Sequence, residues 1–465
     1  MQGGRPSGLS GFGTAWASAN RQNVLSGILG AMPDDEPCKT LPGTGAIVLA
    51  VGKRIPVDAL RIEQTYTGRL IVRCQRTAQL ALAVALGSPL ALEGTTDQGE
   101  PFRTVDVRQW LDDSDELCFF PRCVEIGERS TGCKYDFELT NVDFRSDNPK
   151  SEALAVTWGT ARMPVRLIPQ PNYRDRMVHL IKTRSIAPTA VLRVRCADLA
   201  EDLVAQFASD VCHALSIMQG RKINWISQST YGPQSTFEFA LLGEAITKPF
   251  AVHALAYLPG ERAAATPPLR SLEHVVPKVK RFREEFDGGN RLINSWLDAR
   301  TEGDYLEART LKYVVVVETL IALTCHIDKS ISKIMRTPEE WKHCYEALSR
   351  ALPDEFATMV TIQNWNRLND RGFADKLQEV CKAHRIEMER QDLVTFKKIR
   401  NAIVHSFDYD SKVKLPNEWQ VLDSPQTAQH FFVATFVDRI ILQLFGLAAY
   451  LPDQRAKDTR ASEPV

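Results

Sequence analysis

The chain carries no excess of charge, because 57 Lys and Arg residues balance 57 Asp and Glu residues among its 465 residues. No global field draws it to nucleic acid, so such binding requires a local patch. Uncharged apolar runs long enough to span a membrane are lacking too. Tyr313–Cys325 is short and contains Glu318, and Phe431–Leu451 carries Asp438 and Arg439. We expect both segments to be buried helices of a soluble bundle.

Sequence signatures of several enzyme classes are also absent. The chain has no P-loop, G-x-S-x-G, H-E-x-x-H or G-x-G-x-x-G motif. Its ten cysteines include no CxxC pair, and no secretory h-region opens the chain, which predicts reduced thiols in the cytoplasm. Zinc could use Cys118, Cys123 and Cys133 with Cys74 or Cys196, but scattered buried thiols explain them more economically. We therefore expect no metal and no cofactor.

Length and composition predict a soluble protein of two or three domains, with 44% hydrophobic and 25% charged residues. Residues 1–36 and 453–465 are polar with little periodicity, and we expect disordered tails there. Between them we expect a mainly-β domain at 37–262 and an all-α domain at 279–452. A Pro-rich and charged stretch at 263–278 is the expected linker. The predicted fold class is therefore multidomain α+β.

The mainly-β part shows short apolar or alternating runs separated by turn-forming clusters, which is typical of a sandwich-like sheet. One amphipathic helix is predicted at Asp198–Met218, ending at Gly220. Strands are predicted at Ala46–Val51, Arg69–Cys74, Pro89–Leu92, Phe102–Val107, Glu116–Phe120, Tyr135–Leu139, Ala153–Trp158, Met163–Ile168, Ala190–Arg195, Ile223–Ser227 and Ser235–Leu241.

The second half has helical periodicity almost throughout. Thr337-Pro338 and Ser424-Pro425 each combine an N-cap residue with a proline at the first helical position. Helices are predicted at 278–300, 303–326, 337–351, 354–370, 373–385, 392–406 and 425–450. The closing helix is apolar nearly all round, so part of its surface is expected to serve an interface.

The most informative motif lies in the helix predicted at 392–406, where Arg400-Asn401-Ala402-Ile403-Val404-His405 spans about one and a half turns. Arginine is a permanent cation, and histidine exchanges a proton near pH 7. Cleavage of a phosphodiester needs both functions. Arg174 and His179 share this spacing but lie in a turn-rich region without helical periodicity.

A helical wheel divides the motif between two faces. An apolar stripe of Leu393, Phe396, Ile399 and Ile403 follows Asp392, a plausible N-cap, while Lys398, Asn401 and His405 cluster opposite. Arg400 falls about 40° from Phe396, on the buried side, so it requires a carboxylate or an anionic ligand. The first candidate for this carboxylate is Glu318 and the second is Asp438. The carboxylate would form a structural ion pair with Arg400, orient its guanidinium toward a substrate phosphate, or do both. Lys397 and Lys398 are supporting cations. Taken alone, His405 is better explained as an exposed histidine at a helix C-terminus. Its combination with Arg400, Asn401 and an all-helical second half favours a functional role instead.

The motif resembles the Arg-polar-x3-His signature of the HEPN domain, an all-helical fold. The resemblance covers roughly residues 280–450 and is closest to the Apea-like HEPN proteins of bacterial abortive infection. Three segments carry it: Tyr305–His326 with its internal Glu318, Phe396–Ser406 with the motif, and the apolar closing helix. The stretch from 330 to 390 is longer than the family pattern.

This resemblance implies a metal-independent endoribonuclease with Arg400, Asn401 and His405 at its site. It also implies a homodimer through the HEPN domain, in which Arg and His of both chains meet across a two-fold axis. We further expect an RNA substrate and a regulatory N-terminal domain that responds to a phage-derived trigger. The protein is expected to act in anti-phage defence in the cytoplasm. The alternative is a non-catalytic HEPN module for dimerisation or for binding nucleotides or RNA.

Overall fold

The computed structural model describes residues 37–242, apart from 51, 66–69, 87–88, 113–114, 128–133, 145–148, 177, 179–187, 197–198 and 232–236. It also describes residues 267–450, apart from 301–304, 335–336, 352–368, 410–411, 417–418 and 420–423. The two expected tails and most of the helix expected at 354–370 lie outside the described residues. An antiparallel sheet region is followed by a helical region, which confirms the broad α+β fold.

The first six strands close into a ring. Neighbours pair antiparallel in the order β3-β2-β1-β4-β5-β6, and β6 pairs back with β3. Closure removes the free edges of the six strands. The ring has a separate hydrophobic core, in which Ile47, Ile62 and Phe119 pack with Leu80 and Val84 of helix α1. The bounds are β1 Pro37–Leu49, β2 Arg54–Thr65, β3 Leu70–Gln75, α1 Ala78–Leu86, β4 Pro89–Thr96, β5 Pro101–Asp112 and β6 Glu116–Ile126.

Six further strands continue the sheet, because β12 pairs with β6 and the order runs on as β12-β11-β7-β10-β9-β8. Helix α2 packs its Phe207 edge-on against Trp158 of β8. It ends at Gly220, whose φ of 65° favours glycine and matches the predicted helix end. The bounds are β7 Lys134–Thr140, β8 Glu152–Trp158, β9 Ala161–Pro169, β10 Pro188–Arg195, α2 Glu201–Gln219, β11 Trp225–Tyr231 and β12 Phe237–Leu242.

The described strands form one continuous sheet, whereas a sandwich would have two stacked sheets. The sequence analysis missed strand β2, because the alternation of apolar and polar residues is interrupted within it. Buried positions fall at Ile55 and Val57 and then at Leu60, three residues on. The ladder with β1 shifts its register at this point, between Gly43 and Gly45 opposite, so a bulge moves the inward-facing positions by one.

The helical region packs α5, α8 and α9 around a shared apolar centre. Glu318 of α5 contacts Arg400 of α8, and Thr310 contacts Tyr409 beyond the end of α8, so the two helices run antiparallel. Helix α9 ends at Leu444 rather than at 450. The bounds are α3 Leu272–Glu285, α4 Gly289–Ala299, α5 Leu306–Ile327, α6 Pro338–Ala351, α7 Phe373–Ala383, α8 Arg390–Ser406 and α9 Pro425–Leu444.

The start of the helical region differs from the prediction. The helix expected at 278–300 is two helices, because Gly288 adopts φ 87° and begins α4 afresh. Helix α3 begins at Leu272 and contains Pro277, so the second part of the stretch expected as a linker, 263–278, is helical. Pro277 falls in the helix interior, where proline is unusual. For this reason the proline-rich composition predicted a linker rather than a helix.

A buried ion pair joins the sheet region to the helical region. Asp210 of α2, 1% exposed, accepts hydrogen bonds from Nε and Nη2 of Arg283 in α3, both at 3.0 Å. Its carboxylate also accepts the indole N–H of Trp158 in β8 at 2.8 Å. The three elements therefore share one carboxylate, and one hydrophobic core runs from Tyr135 to Leu447.

A second contact ties α2 to the closing helix. Arg300, at the end of α4, donates from Nε to the carbonyl oxygen of Gly220 at 3.0 Å and pairs through Nη1 with Asp438 of α9. Asp438 also accepts the indole N–H of Trp296 at 2.7 Å. Burial of Arg300 is thus matched by a carboxylate and a carbonyl, as a buried cation requires.

Asp210→Ala is expected to lower the free energy of unfolding by about 3–5 kcal/mol, because it strands the Arg283 guanidinium at a buried junction. Chemical denaturation followed by circular dichroism measures the change. Glu285→Ala is the control on the same helix: it removes an exposed pair with Arg281 and should cost less than about 1 kcal/mol. Equal losses from the two changes would contradict the shared-core junction.

Candidate functional site

Helix α8 carries the motif between a buried stripe and an exposed face. It begins at Arg390 with Glu389 at the N-cap, so Asp392 lies in the first turn rather than at the predicted N-cap position. There Asp392 accepts a hydrogen bond from Arg439 of α9 at 3.2 Å. The predicted apolar stripe is confirmed, because its members are at most 3% exposed: Leu393, Phe396, Ile399 and Ile403.

Arg400 forms an ion pair with Glu318, the first of its two predicted partners. Nε and Nη2 of Arg400 lie 2.9 and 2.6 Å from Oε1 of Glu318. Nη1 donates to the amide oxygen of Asn401 at 3.1 Å. Among the described residues, these bonds use three of the five guanidinium N–H groups, and one N–H group remains on each terminal nitrogen for a further acceptor. Guanidinium N–H groups suit the oxygens of a phosphate.

An aromatic ring that sequence reasoning missed also holds Arg400. The centre of the guanidinium lies 5.1 Å from the ring centroid of Phe373, the first residue of α7. Phe373 stacks on Phe396 of α8 at 6.1 Å and 15°. Ring stacking and the two hydrogen-bond partners together restrict the guanidinium to one orientation. No sequence signal connects Phe373 with the motif, because the contact depends on how α7 packs.

The ion pair between Glu318 and Arg400 is only partly buried, so both side chains are more exposed than expected. Their side chains are 39% and 23% exposed. Helix α5 is apolar on most sides, and a helical wheel therefore could not identify its outward face. That face bears Leu311, Val315 and Ala322 in the same row as Glu318, and Val315 is 44% exposed.

Helix α5, rather than the closing helix, exposes apolar surface. Among the described residues, Leu306–Ile327 alone is long and apolar enough to cross a membrane, and 39% of its most apolar window is buried in the protein. Helix α9 instead buries most of its length, and Phe431 is its exposed large apolar side chain at 38%. The exposed apolar surface expected on the closing helix therefore lies mainly on α5 among the described residues.

The remaining motif residues lie on the outer side of α8. His405 is exposed in the last turn, about 7.5 Å along the axis from Arg400, and Val404 beside it is 40% exposed. Lys397 and Lys398 are exposed one turn earlier. Lys398 and His405 are seven residues apart and share a helical row. The site thus combines fixed Arg400 and Asn401 with a solvent-facing imidazole and two lysines.

Three other histidines are less exposed than His405: His430 is buried, and His213 and His384 are partly buried. Burial lowers the pKa of His430 to about 3, with a further decrease from Arg309, and His430 contacts the Thr310 hydroxyl through Nδ1 at 2.7 Å. Burial also lowers the pKa values of His213 and His384. In all three, the shift favours the neutral imidazole.

Asp438, the second predicted partner of Arg400, does not contact it. Its carboxylate is 1% exposed and is held by Arg300 and Trp296. Asp438 lies in a segment expected to be a buried helix and is indeed buried, but α9 turns this residue toward α4. Asp438 therefore belongs to the packing of the bundle and not to the candidate site.

The weaker alternatives find no support among the described residues. Arg174 is described, but His179 lies outside the described ranges, so the second Arg-x4-His pair cannot be placed. Cys133 lies outside them as well. Within the described part of the chain, no group of three or more His, Cys, Asp or Glu side chains could hold a metal ion.

Comparison with protein-family models, with curated proteins and with solved structures finds no match to this chain. The HEPN resemblance of the motif stays a sequence-based expectation.

Arg400→Ala is expected to reduce the free energy of unfolding by no more than about 1 kcal/mol, because its pair with Glu318 is screened by solvent. Asp438→Ala should cost about 3–5 kcal/mol, since it strands the buried Arg300. Denaturant titrations of both variants against the wild type measure the difference. A larger loss for Arg400→Ala than for Asp438→Ala would contradict this placement of the two pairs.

Proposed function

We propose that this protein is a HEPN-type endoribonuclease that cleaves RNA without a metal ion and acts as an effector of abortive infection against phage. The observation that carries the proposal is the fixed guanidinium of Arg400. Among the described residues, Glu318, Asn401 and Phe373 hold it at the surface with two N–H donors left over, and the exposed side chain of His405 follows about 7.5 Å farther along the axis of α8. The sequence resemblance of this motif supports the same reading.

The chemistry divides between a proton-transfer group and a charge-stabilising group. An imidazole removes the proton of a ribose 2′-OH, and this oxygen attacks the adjacent phosphorus while the bond to the 5′ oxygen breaks. A second group returns a proton to the leaving oxygen, which gives 2′,3′-cyclic phosphate and 5′-hydroxyl ends. His405 moves the proton, Arg400 stabilises the added negative charge, and Asn401 orients Arg400.

This division of roles favours a site made by two protomers. One chain offers a single His405 at the motif, whereas the reaction needs one group to accept a proton and another to donate one. A two-fold axis beside the motif places a second Arg400 and a second His405 against the same phosphate. Lys397 and Lys398 add positive charge along the path of the RNA backbone.

An apolar surface suited to such a dimer surrounds the ion pair. Val315 of α5 and Val404 of α8 are both about half-exposed, at 44% and 40%, and the antiparallel arrangement places both near the Glu318–Arg400 contact. Exposed apolar side chains that adjoin polar ones can mark a protein interface. We therefore assign this α5–α8 surface, made of Leu311, Val315, Glu318, Ala322, Arg400, Val404 and His405, to the homodimer.

The N-terminal sheet region is the regulatory part in this proposal and responds to a phage-derived trigger. The junction of Asp210, Trp158 and Arg283 connects it rigidly to α3, so a change in α2 or β8 reaches the helical region directly. Experiments therefore use the full chain, because removal of the sheet would expose the core face of α3. The protein is expected to work in the cytoplasm.

His405→Ala and Arg400→Ala are each expected to slow RNA cleavage by at least about 100-fold, because each removes a separate function of the site. The assay incubates the purified full chain with total bacterial RNA in EDTA, with and without lysate of phage-infected cells. Sequencing of the RNA ends identifies the products. His274→Ala, at an exposed histidine on α3, is the matched control and should cleave like the wild type.

Two outcomes would contradict the ribonuclease. One is a folded His405→Ala protein that cleaves RNA or protects cells from phage as well as the wild type. The other is a wild type that cleaves no RNA under either condition but binds it, which would favour the non-catalytic module.

Val315→Glu is expected to convert the dimer into a monomer and to abolish cleavage, because it places a charge in the apolar surface beside Glu318. Circular dichroism should be unchanged, since the residue is exposed. Light scattering at micromolar concentration measures the mass. Leu82→Glu is the control, at a position 62% exposed on α1, and should remain dimeric. A monomeric wild type that still cleaves RNA would rule out a composite site.

A further inference from the structure

A cavity of about 400 Å³ lies between the N-terminal turn of α8 and the middle of α9. Small-molecule sites are typically of this size or larger. Its walls include Asp392, Thr435 and Arg439, and residues 414–416 with Trp419 cover one side. None of these residues belongs to the α5–α8 surface, and Asp392 precedes Arg400 by about 12 Å along the helix axis.

One buried polar group in the cavity wall lacks a hydrogen-bond partner. Thr435 is 5% exposed, and its hydroxyl oxygen has neither a donor nor an acceptor within reach among the described residues. Leaving a buried hydroxyl unpaired is unfavourable, because the group has given up its hydrogen bonds to water. A bound molecule with a polar group at this position would remove that penalty. Thr435 therefore indicates where a ligand makes a hydrogen bond.

The ionisable groups of the cavity balance each other. Arg439 and Lys414 provide positive charge, and Asp392 and Glu389 provide negative charge. The described bond from Arg439 to Asp392, at 3.2 Å, uses one of five guanidinium N–H groups, so Arg439 can also bind a ligand carboxylate. A polyanion would face two carboxylates here, and a cation would face two positive side chains. A zwitterion matches both signs.

The apolar wall of the cavity is aromatic. Trp419 meets Phe432 edge-on at 6.0 Å and 82°, and Phe432 stacks on Phe436 at 6.2 Å and 25°. Aromatic walls with a few polar groups are typical of sites for planar ligands. The ring of a ligand would extend this aromatic packing, while its charged head reaches Arg439 and Glu389 at the rim.

We propose that this cavity binds a small aromatic zwitterion of the class of the aromatic α-amino acids. The carboxylate accepts hydrogen bonds from Arg439 and from the Thr435 hydroxyl, the ammonium group faces Glu389 and Asp392, and the ring packs on Phe432 and Trp419. The site does not depend on the ribonuclease proposal, because it uses none of the residues assigned to cleavage.

Calorimetric titration of the full chain with L-tryptophan and L-tyrosine tests the proposal. Binding is expected for at least one of them, and it should weaken at least tenfold for an analogue without the carboxylate, such as tryptamine, or without the ammonium group, such as indole-3-propionate. Thr435→Val should weaken binding at least tenfold and leave the melting temperature unchanged or higher, because the lost hydroxyl has no partner to strand.

Thr324→Val is the matched control. The Thr324 hydroxyl donates to the carbonyl of Leu320 at 2.8 Å and contacts His384 at 2.9 Å, so its loss should lower the melting temperature and leave binding intact. The proposal is overturned if neither amino acid binds at millimolar concentration, or if Thr435→Val binds as well as the wild type. Preferential binding of AMP over both amino acids would overturn the ligand class.

Discussion

The ion pair between Glu318 and Arg400 is the interaction on which the site depends. Arg400 lies at the border between the buried stripe and the exposed face of α8, so without a partner its guanidinium would extend into solvent. Glu318 holds one edge, Asn401 another and Phe373 one face. A cation fixed in this way loses little rotational entropy when it binds a phosphate, which is the condition for stabilising a transition state.

Packing behind the pair extends through the helical region. Phe373 stacks on Phe396, Phe396 on Phe436 at 4.5 Å, and Phe436 on Phe432, which lines the cavity between α8 and α9. The motif and the cavity are thus two ends of one row of rings. The ion pair between Asp210 and Arg283 joins this helical packing to the sheet region, and so does the bond from Arg300, the partner of Asp438, to the Gly220 carbonyl at the end of α2.

Periodicity and capping predicted most of the helices and strands, and the stripe from Leu393 to Ile403 was correct in every member. The pairing of Arg400 with Glu318 also followed from the sequence, because a half-buried cation needs a carboxylate. Its exposure did not, because α5 is apolar on nearly all sides and only tertiary packing selects the outward face. The bulge in β2, the role of Phe373 and the partners of Asp438 likewise depend on contacts distant in sequence.

The most direct test of the central claim compares three strands of one sequence, as RNA, as 2′-O-methyl RNA and as DNA. Each is incubated in EDTA with the full chain and lysate of phage-infected cells, and the products are resolved on a denaturing gel. Attack by the 2′-OH predicts that RNA alone is cut and that its fragments carry 2′,3′-cyclic phosphates. The proposed chemistry would be contradicted if the wild type cleaved the DNA or the 2′-O-methyl strand and the Arg400→Ala variant did not.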